Sequence, residues 1–416
     1  MLPLDDVKVV DLSRVLAGPW CTMTLGDLGA EVWKIESFQG DDTRGWKPPQ
    51  VAGISTYYLC ANRNKRSIAI DLKHPDGQSI VRDLIERADV LVENMRAGTL
   101  DRFGLGWEQA RRVNPRLIYC AISGYGRDGP AADRAGYDAV IQGESGLMSI
   151  TGEPGGEPLK VGVAVTDIVT GMNATQAILA ALIARGRTGE GQFIDMALLD
   201  GAVGLLANIG SGYLNAGGRP RRYGNAHPTV VPYQTFHAAE GRFVLACGND
   251  AQFRLLCNSV LGRPELAEDA RYRRNADRVA HRETLIPLLE AIFAERTAAH
   301  WLTALWQAGI PAGVIHDVPD VFASPEVTGR GLVQRVAHPL AGEVAMVRSP
   351  LRLSATPIGT PTAPPLVGEH TAAILRDVLG KDDAEIARLA AIGAVRRGDA
   401  GAPGAHAAGR ESEETL

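Results

Sequence analysis

The sequence predicts an α/β fold with a mainly parallel sheet, followed by a smaller α+β domain. Three observations carry that expectation. Short apolar runs alternate with helix-period segments through about the first 200 residues, the pattern of strands joined by crossover helices. From Tyr223 the texture changes to successive strands and then successive helices. Beyond Pro325, strand-like runs return.

Residues 7–12 read as a strand, followed by the loop Ser13-Arg14-Val15-Leu16-Ala17-Gly18. Pro19 suits the first turn of a helix, where a missing N–H costs nothing, and Gly29 closes that helix before a strand at 31–35. A second strand–helix–strand unit covers 67–72, 75–88 and 90–94, and a helix at 107–114 precedes a strand at 117–123. Turn residues fill 124–130, and Tyr137-Asp138 opens a helix toward Met148. A short apolar run at 161–165 reads as a buried strand handing over to a long, mostly buried helix through 183. A strand at 192–196 and a helix at 198–214 complete a first block, 1–217.

The small α+β domain spans 223–325, with strands at 229–237 and 242–246 and helices near 253–261, 282–295 and 299–308. Residues 326–395 return to the large domain, with strands at 333–337 and 343–347 and a helix from about 369. The stretch 396–416 has little apolar content and reads as a disordered tail.

The chain has 416 residues, 45% apolar and 22% charged, which leaves ample material for a core. A formal net charge of −5 carries no polyanion signature, so nucleic acid is not an expected partner. Five scattered cysteines without a C-x-x-C pair fit a reducing compartment and a cytoplasmic location. The histidines show no metal-ligand spacing, so no metal site is expected. No secretory signal is read at the N-terminus, and no uninterrupted run of about 18 apolar residues predicts a membrane span.

Sheets of this kind bind ligands beyond the carboxyl ends of their strands. The first loop has only Gly18 and no G-x-G-x-x-G, which speaks against a nicotinamide dinucleotide. Cationic and amide residues gather near strand ends: Asn62 to Arg66, Lys73, Asn94, Arg96 and Arg102. They suit a phosphorylated ligand, although a solvated surface explains any one of them alone. Asp167, at the expected start of the long helix, has two readings. It caps free N–H groups of the first turn, or it is a nucleophilic carboxylate facing a cleft.

Taken together, several segments resemble the class III CoA-transferases, the family of formyl-CoA transferase and carnitine CoA-transferase. They are Asp11-Leu-Ser-Arg-Val-Leu-Ala-Gly-Pro19, Leu28 to Glu36, Asn64 to Lys73, Val92 to Gly104, Gly162 to Gly171, Arg187 to Gln192 and Leu366 to Thr371. The resemblance runs from about residue 4 to about 380. It implies a Rossmann-like large domain built from both chain ends, an inserted small domain, and an interlocked homodimer. It implies transfer of CoA from an acyl-CoA, with succinyl-CoA as donor, to a small carboxylic or dicarboxylic acid, with no tightly bound cofactor.

The family's catalytic aspartate falls on Asp167. Its CoA-contacting positions fall on Val15, Leu16, Ala17, Ile70, Lys73, Asn94, Met95 and Arg102, with Arg96 and Tyr137 beside them. An adenine-side arginine of the family is Ser37 here, a lysine is Ala135 with Arg134 next to it, and the polyglycine lid is replaced by Gly224-Asn-Ala-His-Pro228. Two other functions compete. A racemase of α-methylacyl-CoA needs a histidine in the A-G-x-D slot, which holds Tyr137, and places His227 near the cleft. A non-catalytic CoA-binding paralogue would have lost the aspartate, which is present.

Overall fold

In the computed structural model, which describes residues 1–398, six strands form a parallel sheet. They are β1 Lys8–Asp11, β2 Glu31–Glu36, β3 Lys65–Ile70, β4 Val90–Glu93, β5 Ile118–Ser123 and β6 Gln192–Ala197. Their spatial order is β3-β2-β1-β4-β5-β6, and the short strand Val395–Arg396 adds antiparallel to β3. The chain therefore runs outward from β1 in one direction, then returns to β4 and runs outward in the other. This is a doubly wound order, with its topological switch between β1 and β4.

The central strands read as continuous apolar runs because both faces are covered. Val10 belongs to a core on one face, with Leu84, Leu91 and Ile374. Val9 belongs to a second core on the other, with Leu25, Ile118 and Ile178. Five helices matter for the site: α1 Ala17–Asp27, α2 Pro75–Arg87, α3 Trp107–Val113, α4 Asp138–Glu144 and α5 Val165–Thr188.

The chain divides into two compact units. The first comprises Met1–Ser145, Gly162–Ala207 and the described chain from Arg330, and the second Gly146–Val161 with Asn208–Gly329. The break expected after 217 thus falls at 207, and 146–161 groups with the second unit. Arg222 supplies the reason, since its guanidinium donates to the carbonyls of Ser149, Glu153 and Gly156. The second unit has an antiparallel sheet of β7 Tyr233–His237, β8 Arg242–Ala246 and β9 Ala312–Val314, over a core that includes Phe236, Phe243, Phe253 and Phe293.

Several expectations need correction. Residues 161–165 form no strand, and Val163 is 59% exposed, because β6 already occupies that edge of the sheet beside β5. Helix α5 is buried along one stripe only, Thr170, Gly171, Ala174, Ile178 and Ala181, while Ile183 faces outward. By length and composition α5 is apolar enough to cross a membrane, although it holds no uninterrupted run of about 18 apolar residues; its inner stripe packs on α1 and the sheet. The helix expected at 198–214 breaks at Leu205 and Leu206 into Leu198–Gly204 and Ala207–Ala216, with Ala207 at φ 41°. The strands after Pro325, Val333–His338 and Gly342–Val347, pair with each other rather than with the main sheet. Arg396, read as the start of a tail, pairs with Ala69; the rest of that stretch, from 399, lies outside the described residues.

Candidate active site

The loops after β1 and β4 meet at the switch point and are tied together. Asn94 accepts the Arg14 N–H through Oδ1 at 2.8 Å and donates Nδ2 to the Arg14 carbonyl at 2.7 Å. That pair of hydrogen bonds to the Arg14 backbone helps hold the neighbouring Val15 at φ 71°, a left-handed conformation that a β-branched residue avoids unless its surroundings impose it. Gly18 completes the turn into α1, since a Cβ there would lie 2.2 Å from the Ser13 Cβ. After β4, Glu93 accepts the Met95 N–H at 2.7 Å and pairs with Arg127 at 2.6 Å.

Beneath the first loop lies a buried set of charges. Asp11 pairs with Lys65 at 3.1 Å, and Lys34 pairs with Asp41 at 3.0 Å. Lys34 also donates to the Ser13 carbonyl, and Asp11 accepts from Ser13 and Thr22, so the ion pairs hold the loop from below. Burial pushes the Asp11 carboxyl up, but Lys65 and Lys34 overcome it and hold the group down at about 2. Of the expected cationic set, Arg63, Lys65 and Arg66 are therefore structural, paired with Asp27, Asp11 and Glu31. They sit at the amino end of β3. Lys73 and Arg96, beyond the carboxyl ends of β3 and β4, have no ion pair among the described residues.

Asp167 is the third residue of α5. It is not the cap: the Thr166 N–H and hydroxyl both go to Asp138 Oδ1, at 2.8 and 2.7 Å. Asp138 opens α4 and is steadied by Gln142 at 2.7 Å, so α4 caps α5 from outside. Among the described residues Asp167 takes no capping bond. Burial, with the Asp138 charge second, pushes its carboxyl up to about 7. The helix is pressed against the first loop at Gly171, where a Cβ would lie 2.6 Å from the Ala17 carbonyl.

Two adjoining cavities use these parts. One, of about 400 Å³, is lined by Val15, Leu16, Ala17, Asn94, Met95, Arg96, Tyr137 and Asp167. The other, of about 450 Å³, is lined by Ile70, Lys73, Ser37, Phe38 and Phe103, and shares Arg14 and Met95 with the first. Arg102 lines neither; its guanidinium lies beside Thr99 at 3.4 Å. Arg134, offered as a substitute cation, is taken by Glu144 and lies over the Tyr125 ring. His227 belongs to the second unit, where it stacks on Tyr233.

Sequence reasoning missed Asp138, Trp46 and Tyr57. Burial and then the Asp167 charge push the Tyr57 hydroxyl up to about 12, which puts the ring within electrostatic reach of Asp167, and Trp46 meets that ring edge-on at 5.0 Å. The Asp138 signal was in the sequence, as an aspartate directly after Tyr137. Trp46 and Tyr57 lie in a segment with no strong periodicity.

The profile of CoA-transferase family III matches residues 4–371. The chain is 45% identical over 398 residues to succinyl-CoA:glutarate CoA-transferase of Mus musculus, covering 95% of this chain and 91% of that protein. It is 46% identical to succinate–glutarate CoA-transferase of Agrobacterium fabrum, with 90% and 96% covered. The crystal structure of a CAIB/BAIF family protein from Brucella suis superposes with a TM-score of 0.81 at 47% identity, covering 91% of this chain and 99% of that one.

Proposed function

Since the chain belongs to CoA-transferase family III, we propose that it carries CoA from succinyl-CoA to a short dicarboxylic acid of the glutarate class. The observation that carries this reading is the uncapped Asp167 carboxyl, raised to about 7, in one cavity with the β1 and β4 loops.

In this reading the Asp167 carboxylate attacks the thioester carbonyl, the C–S bond breaks, and CoA leaves as thiolate, giving a mixed anhydride. The thiolate attacks the aspartyl carbonyl, which releases succinate and leaves an aspartyl-CoA thioester. The acceptor carboxylate attacks that thioester, expelling CoA thiolate again. The thiolate then takes the new acyl group from the second anhydride and regenerates Asp167. A raised pKa makes the ionised carboxylate a stronger base and nucleophile while leaving much of it ionised near neutrality. The nucleotide end of CoA fits the larger cavity, with Lys73 at its rim, and Arg96 supplies charge beside the smaller one.

The racemase reading finds no histidine lining the Asp167 cavity among the described residues, and Tyr137 stands in the slot. The same proposal includes a homodimer, supported by exposed apolar groups on α5 such as Met172 and Ile183, and a cytoplasmic location, supported by five unpaired cysteines. Light scattering on dilute native protein tests the dimer; a monomer removes it.

The function is tested by mass spectrometry on protein incubated with succinyl-CoA and a panel of diacids. Glutaryl-CoA is the expected product, and hydroxylamine added with acyl-CoA alone is expected to leave a hydroxamate at Asp167. No acyl-CoA product with any diacid, or an adduct at another residue, overturns the reading.

A further inference from the structure

The second unit contains a cavity of about 790 Å³ whose walls include Arg219, Arg221, Arg222 and Arg282, with Tyr223 and a single carboxylate, Glu283. Elsewhere in the same unit Arg263, Arg271, Arg274 and Arg278 each hold a carboxylate, on Glu265, Asp269, Asp277 and Asp250, while Arg242, Arg254, Arg273 and Arg296 hold none among the described residues. The four of the cavity hold none among the described residues. In a chain of net charge −5, unpaired guanidinium groups gathered at one place focus a local positive field.

Two of the four are held in place by neutral partners. Arg222 donates to the three carbonyls of the 146–161 loop, and Arg282 to the carbonyls of His227 and Pro228 at 2.8 and 2.9 Å. Arg221 and Arg282 both lie over the Tyr223 ring, at 4.8 and 5.2 Å from its centroid. Like charges are thus brought to one ring, and carbonyls fix the direction of Arg282 without cancelling its charge. Burial holds Arg282 below the usual arginine range and the nearby Arg221 charge adds to it, outweighing the opposite pull of Tyr223 and Glu283.

We propose that this cavity binds a small dicarboxylate, with the guanidinium forks shared between its two carboxylates. Arginine presents N–H pairs whose spacing matches a carboxylate; Arg219 and Arg221 offer such forks to the ligand, while Arg222 and Arg282, whose N–H groups are largely spent on carbonyls, add their charge. The assignment deepens the reading of the enzyme as a dicarboxylate CoA-transferase and rests on it for the choice of ligand.

Calorimetric titration of the full-length protein with glutarate, in the absence of acyl-CoA, tests the site directly. Butyrate, which has one carboxylate, and adenosine 3′,5′-diphosphate, which carries the phosphates of CoA, are the comparison ligands. Glutarate is expected to bind at least about tenfold more tightly than butyrate. Arg282→Gln, and separately the exposed pair Arg219→Ser with Arg221→Ser, are each expected to weaken glutarate about tenfold with an unchanged melting curve. Arg282→Lys should recover part of the loss. Glutarate that fails to bind the wild type, or binds every variant equally, overturns the proposal. So does a result in which only the adenosine diphosphate is lost, since the site is then one for phosphate. Because hydroxamate trapping at Asp167 with acyl-CoA alone needs no diacid, it separates failure here from failure of the transferase reading.

Discussion

Asp11 and Asp167 are both carboxylates withdrawn from water, and the protein drives them in opposite directions. Asp11, under the first loop, is held at about 2, whereas Asp167, at the start of α5, is raised to about 7. Burial raises both. The difference lies in what was buried with them: two lysines and two hydroxyls for Asp11, and another carboxylate for Asp167. Burial alone therefore does not make a site reactive. A structural carboxylate is given its counter-charge, and a reactive one is denied it.

The largest expected effect comes from removing the reactive member. Asp167→Asn keeps the shape of the side chain and cannot form an anhydride, so transfer should fall by about three orders of magnitude or more, with acyl-CoA binding retained. Steady-state rates and a direct CoA titration measure the two halves. Activity within tenfold of wild type would make the comparison meaningless.

Next is the structural member. Lys65→Met strands Asp11 without its partner and should cost about 3–5 kcal/mol in a urea melt. Pairing it with Asp11→Asn should restore a good part of that. A cost under about 1 kcal/mol for the single change would mean the ion pair is incidental.

A third test uses pH, where the two carboxylates have opposite signs. Asp167 is neutral in both states below the ordinary aspartate value of 3.8, and the folded form keeps its proton up to about 7. Folding thus binds a proton across that window, and wild type loses stability as pH rises from about 4 to 7. Asp167→Asn should match wild type near pH 4 and exceed it at pH 8 by on the order of 1–3 kcal/mol. Asp11 behaves the other way: its contribution is present above the unfolded value and is lost as pH falls through about 2. Parallel melts of the Asp167→Asn and wild-type proteins at both pH values show whether the crossover exists.

The smallest effects concern the unpaired cations. Lys73→Ala and Arg96→Ala should each raise the KM for acyl-CoA about tenfold with little change in KM for the acid. Arg102→Ala, at a residue outside both cavities, should stay within about twofold. Equal effects at all three positions would mean the charges act through the general field rather than by contact.

Much of the first unit was legible because its signals are local. Alternating apolar runs located the six parallel strands to within a few residues, and Gly18, Pro19 and Gly29 marked the ends of the first loop and helix. The resemblance placed Asp167, Asn94 and the Val15 loop together, and the structure lines one cavity with them. Local pattern failed where pairing decides. Residues 161–165 are apolar enough for a strand, but the neighbouring edge belongs to β6. Lys65 and Arg66 read as ligand cations because a sequence does not show that Asp11 lies two strands away and Glu31 one.

What the sequence determined by itself was the parallel α/β framework, the family, and the presence of a carboxylate at the head of a long helix. Hydrophobic period and turn chemistry act over a few residues, so they can be read in order along the chain. Only the tertiary structure decided what Asp167 does there. Asp138 lies 29 positions away from it, yet takes the capping bonds to Thr166 and adds its charge to the burial of Asp167. The choice between cap and nucleophile depended on which carboxylate reached the helix end first, and that is a matter of distance in space rather than along the chain.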